Sequence, residues 1–305
     1  MNNKTLPNRI LITGAGGMIG SELLSAVQSR NYEVYPLTRQ DLDISDIDKF
    51  SQIMDASKAN IVINCAGYTK VDLCESEAEL AYQVNRDAVG RIAEECKKRD
   101  ALLVHLSSDY VFDGKKGSPY TETDSTNPLS VYGKSKLEGE LAIESIMDNH
   151  LILRCSWVYG LAGHNFVKTI MKLASERESL RVVDDQIGSP SFTKTIAIGM
   201  ISLLEKGLRG RYHLSDDGVC SWHDFAVEIV NHMRERKMRV ALNDVSAIPT
   251  SEYPTPALRP AYSVLSKEKI LRDTGITLSH WKTNLDLFFD LQMTSIQEKG
   301  TNHVS

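Results

Sequence analysis

The segment Arg9-Ile10-Leu11-Ile12-Thr13 runs straight into Gly14-Ala15-Gly16-Gly17-Met18-Ile19-Gly20, and this junction constrains the fold more than any other stretch of the chain. The apolar run reads as a buried strand, and residues 17–30 carry a helical pattern. Glycines at 14, 17 and 20 give the spacing G-x-x-G-x-x-G between them. Gly14 permits a tight turn, Gly17 lets the backbone approach a pyrophosphate, and Gly20 lets helix and strand pack closely. Gly16, Met18 and Ile19 complete the turn and the first helical residues, where free N–H groups and the helix dipole favour a phosphate. A tight turn without a ligand has the same need for glycine, so it is the strand–turn–helix context that points to a dinucleotide.

The alternation continues. Residues 33–37, 61–67, 102–108 and 151–157 read as further strands, with helical stretches at 45–58, 76–99 and 131–147 between them. This rhythm predicts an α/β fold, a Rossmann-type doubly wound parallel sheet covered by helices on both faces. After Trp157 the rhythm changes to Gly- and Pro-rich loops around helices near 165–177, 193–206 and 221–236, which predicts a smaller C-terminal substrate-binding lobe. The expected division is a dinucleotide-binding domain over 1–157 with a returning segment near 190–215. The lobe takes 158–189 and 216–292, and a polar, flexible tail follows over 293–305.

Composition narrows the class. Over 305 residues the chain is 42% hydrophobic and 25% charged with a formal net charge of -5, the profile of a globular protein. No long Lys/Arg run offers a nucleic-acid surface. Five cysteines without a C-x-x-C argue against a disulfide framework or structural zinc. No apolar run approaches the roughly 20 residues of a membrane span, and the first nine residues lack the apolar middle of a signal peptide. The expectation is a cytoplasmic protein with no nucleic-acid or membrane partner.

The end of the second strand bears on the cofactor. Leu37-Thr38-Arg39 stands where an NAD-preferring fold often has an acidic residue, and Arg39 suits the 2′-phosphate of NADP. NADPH is the expected cofactor, with NADH use left open. Asp43 and Ile44 are placed to meet the adenine, whereas Asp41 and Asp46 read as a turn residue and a helix cap. Tyr132 and Lys136 stand four apart on a helix and share one face. An ammonium beside a phenol favours the phenolate, and a phenol tuned in this way can protonate a carbonyl oxygen. A strand ends about 24 residues earlier in Ser107-Ser108, where a hydroxyl can bind the substrate oxygen; the two serines compete for this role.

Together these elements resemble the extended short-chain dehydrogenase/reductase family. Asn64-Cys65-Ala66-Gly67 is similar to its cofactor-flanking turn, and Asn85 to its structural Asn. Within it, Ser107-Ser108-Asp109-Tyr110-Val111-Phe112-Asp113-Gly114 resembles the S-T-D-Y-V-F-x-G signature of the dTDP-4-dehydrorhamnose reductase branch, with Ser108 in place of the usual Thr. The stretches 66–77, 154–160, 165–166, 185–190 and 259–260 match that branch in order. The resemblance implies Ser108, Tyr132 and Lys136 as the catalytic set. The cofactor would meet Gly14, Gly16, Gly17, Met18, Ile19, Gly20, Arg39, Asp43, Ile44, Cys65, Ala66 and Gly67, with Tyr132 and Lys136. The substrate, a dTDP-sugar, would meet Tyr68, Val71, Ser108, Asp109, Tyr110, Trp157, Asn165 and Arg259. Trp157 would stack the pyrimidine and Arg259 clamp the diphosphate; Gln186 reads as a loop organiser. The implied reaction is NADPH-dependent reduction of the sugar C4 ketone. Some relatives bind magnesium between glutamates at a dimer contact; no such cluster is legible, so no metal is expected, and a homodimer is left open. The alternatives are a dehydratase or epimerase, although Tyr110 replaces the acid a dehydratase needs after Asp109, and a non-catalytic NADP-binding regulatory subunit.

Overall fold

The computed structural model describes residues 8–28, 30 and 32–301; the first seven residues, Ser29 in the expected first helix, and 302–305 of the expected tail lie outside the described residues. Strands β1 (Arg9–Thr13), β2 (Glu33–Leu37), β3 (Ile61–Asn64), β4 (Leu102–Ser108) and β5 (His150–Cys155) join Gly210–Leu214 in one sheet. Its order from one edge is β2, β1, β3, β4, β5, Gly210–Leu214, and every pairing is parallel. The chain leaves β1 towards β2 and then crosses to β3 on the other side. That reversal opens a crevice beyond the carboxyl ends of β1 and β3, where ligands bind in open sheets.

The near-continuous apolar character of β1, β3, β4 and β5 has a direct cause, because both faces of these strands are covered. Ile10 and Ile12 of β1 pack with Leu23 and Val27 of α1 (Met18–Gln28) and with Ile196 and Met200 of the helix Thr193–Glu205. Leu11 faces the other way, onto Phe50 and Met54 of α2 (Ile47–Ser57) and Val89 and Ile92 of the helix Ala88–Lys98.

Two expectations change. The helix read over 76–99 is broken into Val71–Ser76, Ala78–Tyr82, a π turn Gln83–Asp87 and Ala88–Lys98. The wider π turn places Asn85 inward. There its side-chain oxygen accepts from the Tyr68 N–H at 2.8 Å, and its amide donates to the Tyr68 carbonyl and the Ser135 hydroxyl, both at 3.0 Å. The tail expected from 293 continues instead as the helix Trp281–Thr301. That helix is held by Leu285, Phe288 and Phe289, all fully buried.

A second core lies outside the sheet: Tyr159, Val167, Phe192, Phe225, Ile229, Phe288 and their neighbours. Ser179–Val183 pairs in parallel with Asp244–Ile248 beside it. The helix Glu268–Thr274 does not join this core. Its Ile270 packs into the sheet core with Ile196 and Tyr212, so the chain returns to the sheet twice, at 193–214 and again at 268–274.

Candidate active site

One cleft of about 1330 Å³ opens over the carboxyl ends of the central strands, and every residue named above for cofactor or substrate lines it except Gly20. Gly20 serves packing: a Cβ there would overlap the Gly14 carbonyl oxygen. Gly14 has φ +66°, and an added Cβ would lie 2.7 Å from the Ala66 nitrogen, so turn and β3 loop touch backbone to backbone. At Gly16 the nearest atom to an added Cβ is the Thr38 methyl at 3.7 Å, so the fold itself leaves that position open. The first N–H groups of α1, from Met18 and Ile19, have no carbonyl one turn earlier in the helix to bond.

Beyond β2, the Asp41 carboxylate turns back on its own loop and accepts from the Thr38 N–H at 2.9 Å and hydroxyl at 2.7 Å. Asp46 caps α2 by accepting from the Lys49 N–H at 3.0 Å. Both act as local anchors. Asp43 accepts from the Ser45 N–H at 3.0 Å, and Ile44 is mostly sunk into the core with only an edge on the cleft. Arg39 is exposed on the cleft wall and makes no hydrogen bond or ion pair among the described residues. A free guanidinium and an open glycine turn fit a phosphorylated dinucleotide. Arg39→Asp is expected to weaken NADPH by tenfold or more, roughly the worth of one charge-assisted hydrogen bond. NADH should suffer less, and fluorescence titration of both cofactors measures the difference; equal losses would remove Arg39 from cofactor selection.

Tyr132 and Lys136 stand on the helix Val131–Ile146, whose N-cap Ser130 accepts from the Gly133 N–H at 3.2 Å. Gly133 and Gly139 let this helix press on the Tyr110 and Asn85 carbonyls, which a Cβ would overlap. Tyr132 is buried, edge-on to Tyr110 with ring centroids 5.5 Å apart. Burial raises its phenol well above the ordinary value, and a hydrogen bond with Ser108 is the main influence the other way. This corrects the expectation that Lys136 makes the phenol acidic. The Lys136 Nζ is drawn away, donating to the Leu106 carbonyl at 2.5 Å and lying 3.2 Å from His105 Nε2. Burial also brings Lys136 down to about 8.

The two serines have different partners. The Ser107 hydroxyl donates to Glu140 Oε1 at 2.5 Å, which in turn holds the Arg154 Nε at 2.9 Å. Ser108 is the one beside the phenol, and its hydroxyl also donates to Asp109 Oδ1 at 3.0 Å. Asp109 is 2% exposed, and burial raises its carboxyl to about 6 against hydrogen bonds from Ser263 and Ser108; its Oδ2 has no hydrogen-bond partner among the described residues.

At the other end of the cleft, Arg259 pairs with Asp72 at 2.9 Å and also meets the Tyr110 phenol. Tyr68 is hydrogen-bonded to Glu77, and Val71 packs near Tyr132 and Tyr110. Trp157 adopts φ +44°, a rare conformation for an aromatic residue. One face of its indole is already stacked on Trp222, centroids 3.5 Å apart, and Gly188 packs against the ring where no side chain would fit. Asn165 is committed to structure: its amide donates to the Gly160 carbonyl at 2.8 Å, and its oxygen caps the helix Phe166–Glu176 at the Lys168 N–H, 3.2 Å away. Gln186 donates to the Thr250 hydroxyl at 3.0 Å, tying two loops. Trp222 and His105 escaped the sequence reading, and Asp72 entered it only within the 66–77 match, because no spacing rule joins residue 157 to 222 or 72 to 259. Trp157→Ala is expected to raise the substrate KM about tenfold, the loss of one aromatic stack, with NADPH affinity kept. An unchanged KM in a folded variant would reduce Trp157 to packing.

A family model described as the RmlD substrate binding domain matches residues 8–293. A dTDP-4-dehydrorhamnose reductase of Aggregatibacter actinomycetemcomitans is 43% identical over 284 residues, covering 91% of this chain and 97% of the relative. The spore coat polysaccharide biosynthesis protein SpsK of Bacillus subtilis is 42% identical over 277 residues, covering 91% and 95%. The crystal structure of the dTDP-4-dehydrorhamnose reductase of Bacillus anthracis in complex with NADP superposes with a TM-score of 0.87 at 36% identity, covering 93% of this chain and 99% of that one. Among the described residues no helix is long and apolar enough to cross a membrane. With the match running through the glycine turn, the Ser108–Tyr132–Lys136 set and the second core alike, this chain belongs to the dTDP-4-dehydrorhamnose reductase family of NADP-dependent oxidoreductases.

Proposed function

We propose that the chain reduces the C4 ketone of dTDP-4-dehydro-6-deoxy-L-mannose to give dTDP-L-rhamnose, a precursor of surface polysaccharide, using NADPH. NADPH when bound supplies the hydride. The chain's own residues do the rest. The glycine turn and the start of α1 receive the pyrophosphate, and Arg39 the 2′-phosphate. The Ser108 hydroxyl, whose single proton lies on Asp109 in this structure, turns it to the substrate oxygen and orients the carbonyl. Tyr132, kept neutral by burial, is in the form a proton donor must have, and passes its proton to O4. The proton moves as hydride reaches carbon and negative charge develops on O4. Lys136 holds the cofactor ribose. Arg259 and Trp157 bind the diphosphate and the pyrimidine, with Asp109, Tyr68 and Val71 lining the sugar.

The observation that carries this reading is the burial of Tyr132, Ser108 and Lys136 along the wall of the same cleft that ends in the open glycine turn. One chain lines the whole cleft. The segment 1–157 supplies the cofactor side and, through Tyr68, Val71, Ser108, Asp109, Tyr110 and Trp157, much of the substrate side, with Asn165 and Arg259 added from the later chain. All five cysteines are free thiols, which suits the reducing cytoplasm as the site of action. The test is NADPH oxidation by the purified protein with several keto-sugar nucleotides in parallel, repeated with NADH. Fastest turnover with the dTDP-4-keto-6-deoxy sugar and NADPH supports the proposal; no absorbance loss with any sugar would favour a cofactor-binding regulatory role.

A further inference from the structure

His105 of β4 is fully buried between two nitrogen-bearing side chains. Its Nδ1 lies 3.2 Å from the Asn64 amide nitrogen, and its Nε2 lies 3.2 Å from the Lys136 Nζ. The Asn64 amide cannot turn over, because its oxygen accepts from the Ala66 N–H at 3.2 Å and the Thr13 hydroxyl at 2.6 Å. Its NH₂ therefore faces the imidazole, and an amide NH₂ only donates. His105 Nδ1 is thus an acceptor. A neutral imidazole carries one N–H, so the proton sits on Nε2 and points at Lys136. A second ring proton is excluded by burial and the neighbouring Lys136, which hold His105 well below the usual histidine range.

An ammonium has three donors and no acceptor. When Lys136 is charged, two N–H donors face each other across 3.2 Å; when it is an amine, its lone pair accepts from Nε2–H while an amine hydrogen stays on the Leu106 carbonyl at 2.5 Å. The other groups around the Nζ do not compensate. Glu140 favours the ammonium but is bound bidentately to Arg154. Cys65 and Cys155 are thiols pushed up by burial, Cys65 to about 12, and Tyr132 is a neutral phenol.

We infer that His105 is a positioning residue for the reduction: its Nε2–H, fixed by Asn64, faces the Lys136 nitrogen, where it opposes the ammonium and can donate to the amine. The tautomer stands on the hydrogen-bond geometry alone, whereas its kinetic consequence rests on the reductase reading above. As pH rises, the ammonium is lost early, and turnover acquires an alkaline limb near the value to which burial brings Lys136, about 8.

Two measurements on the full chain test this. In ¹⁵N-histidine NMR, the His105 signals, assigned by their loss in His105→Gln, are expected to show a bare Nδ1 and a protonated Nε2 from pH 6 to 9. A protonated Nδ1 or an imidazolium in that range would overturn the inference, whether or not the protein reduces any sugar. In His105→Gln the side-chain oxygen can take the place of Nε2 and accept from the ammonium. The alkaline limb of kcat should then move up by about one pH unit, a roughly tenfold gain in relative rate well above the limb. A purely structural role would lower kcat at every pH and leave the limb where it was. That outcome, in a variant that melts normally and binds NADPH, contradicts the inference. Absence of turnover in the unmodified protein would instead count against the reductase reading, with the NMR result still deciding the tautomer.

Discussion

Tyr132→Phe is expected to lower kcat by about 10²–10⁴-fold, the range for removing a positioned general acid, while NADPH affinity stays nearly unchanged. The phenylalanine ring fills the same volume, so the edge-on contact with Tyr110 is kept and only the proton donor is lost. Single-turnover NADPH oxidation measures the first quantity and fluorescence titration the second. A fully active variant would assign the proton to another group. Asp109 would be the first alternative to test, since burial raises its carboxyl to about 6 and it bonds Ser108.

Glu140→Ala is expected to cost about 3–5 kcal/mol of stability, the range for breaking a buried ion pair. Arg154 and Glu140 are both fully buried and pair bidentately, at 2.6 and 2.9 Å. Removing the carboxylate leaves the guanidinium with no counter-charge and deprives the Ser107 hydroxyl of its acceptor. The same carboxylate joins β4, β5 and the helix Val131–Ile146, so its loss also loosens the frame that sets Ser108 against Tyr132. Urea unfolding followed by far-UV circular dichroism checks the magnitude, and a change below about 1 kcal/mol would mean that the pair contributes little beyond its own desolvation.

Much of this arrangement was legible in the sequence, for physical reasons that can be named. A strand buried on both faces must be largely apolar, so the parallel sheet announced itself in β1, β3, β4 and β5. A glycine that only a backbone contact can explain, as at Gly14 and Gly20, marks a turn without any structure. Side chains whose work is local were also readable: Asp41 and Asp46 are a turn residue and a cap because their partners lie three residues away. What sequence could not show are contacts set by tertiary packing. The indole of Trp157 meets Trp222, and Arg259 meets Asp72, across more than sixty residues. Asn165 carried a signature for substrate, yet its polar atoms are used on Gly160 and Lys168. The assumption that four residues of helix place Lys136 on the Tyr132 phenol failed for a similar reason. The two share a face, but the amine donates to the buried Leu106 carbonyl and lies 3.2 Å from His105 Nε2. The π turn at Gln83–Asp87 has no periodicity of its own and read as plain helix.

NADPH deuterated at the nicotinamide C4, incubated with the dTDP-4-keto-6-deoxy sugar and the purified protein, tests most directly whether a cofactor hydride and the Tyr132 proton converge on one sugar carbonyl. Mass spectrometry and NMR of the product should find one deuterium on sugar carbon 4, in equal amount to the NADPH consumed, and a hydroxyl at that carbon. A recovered sugar with its ketone intact, or a reduced sugar free of deuterium, would contradict the account.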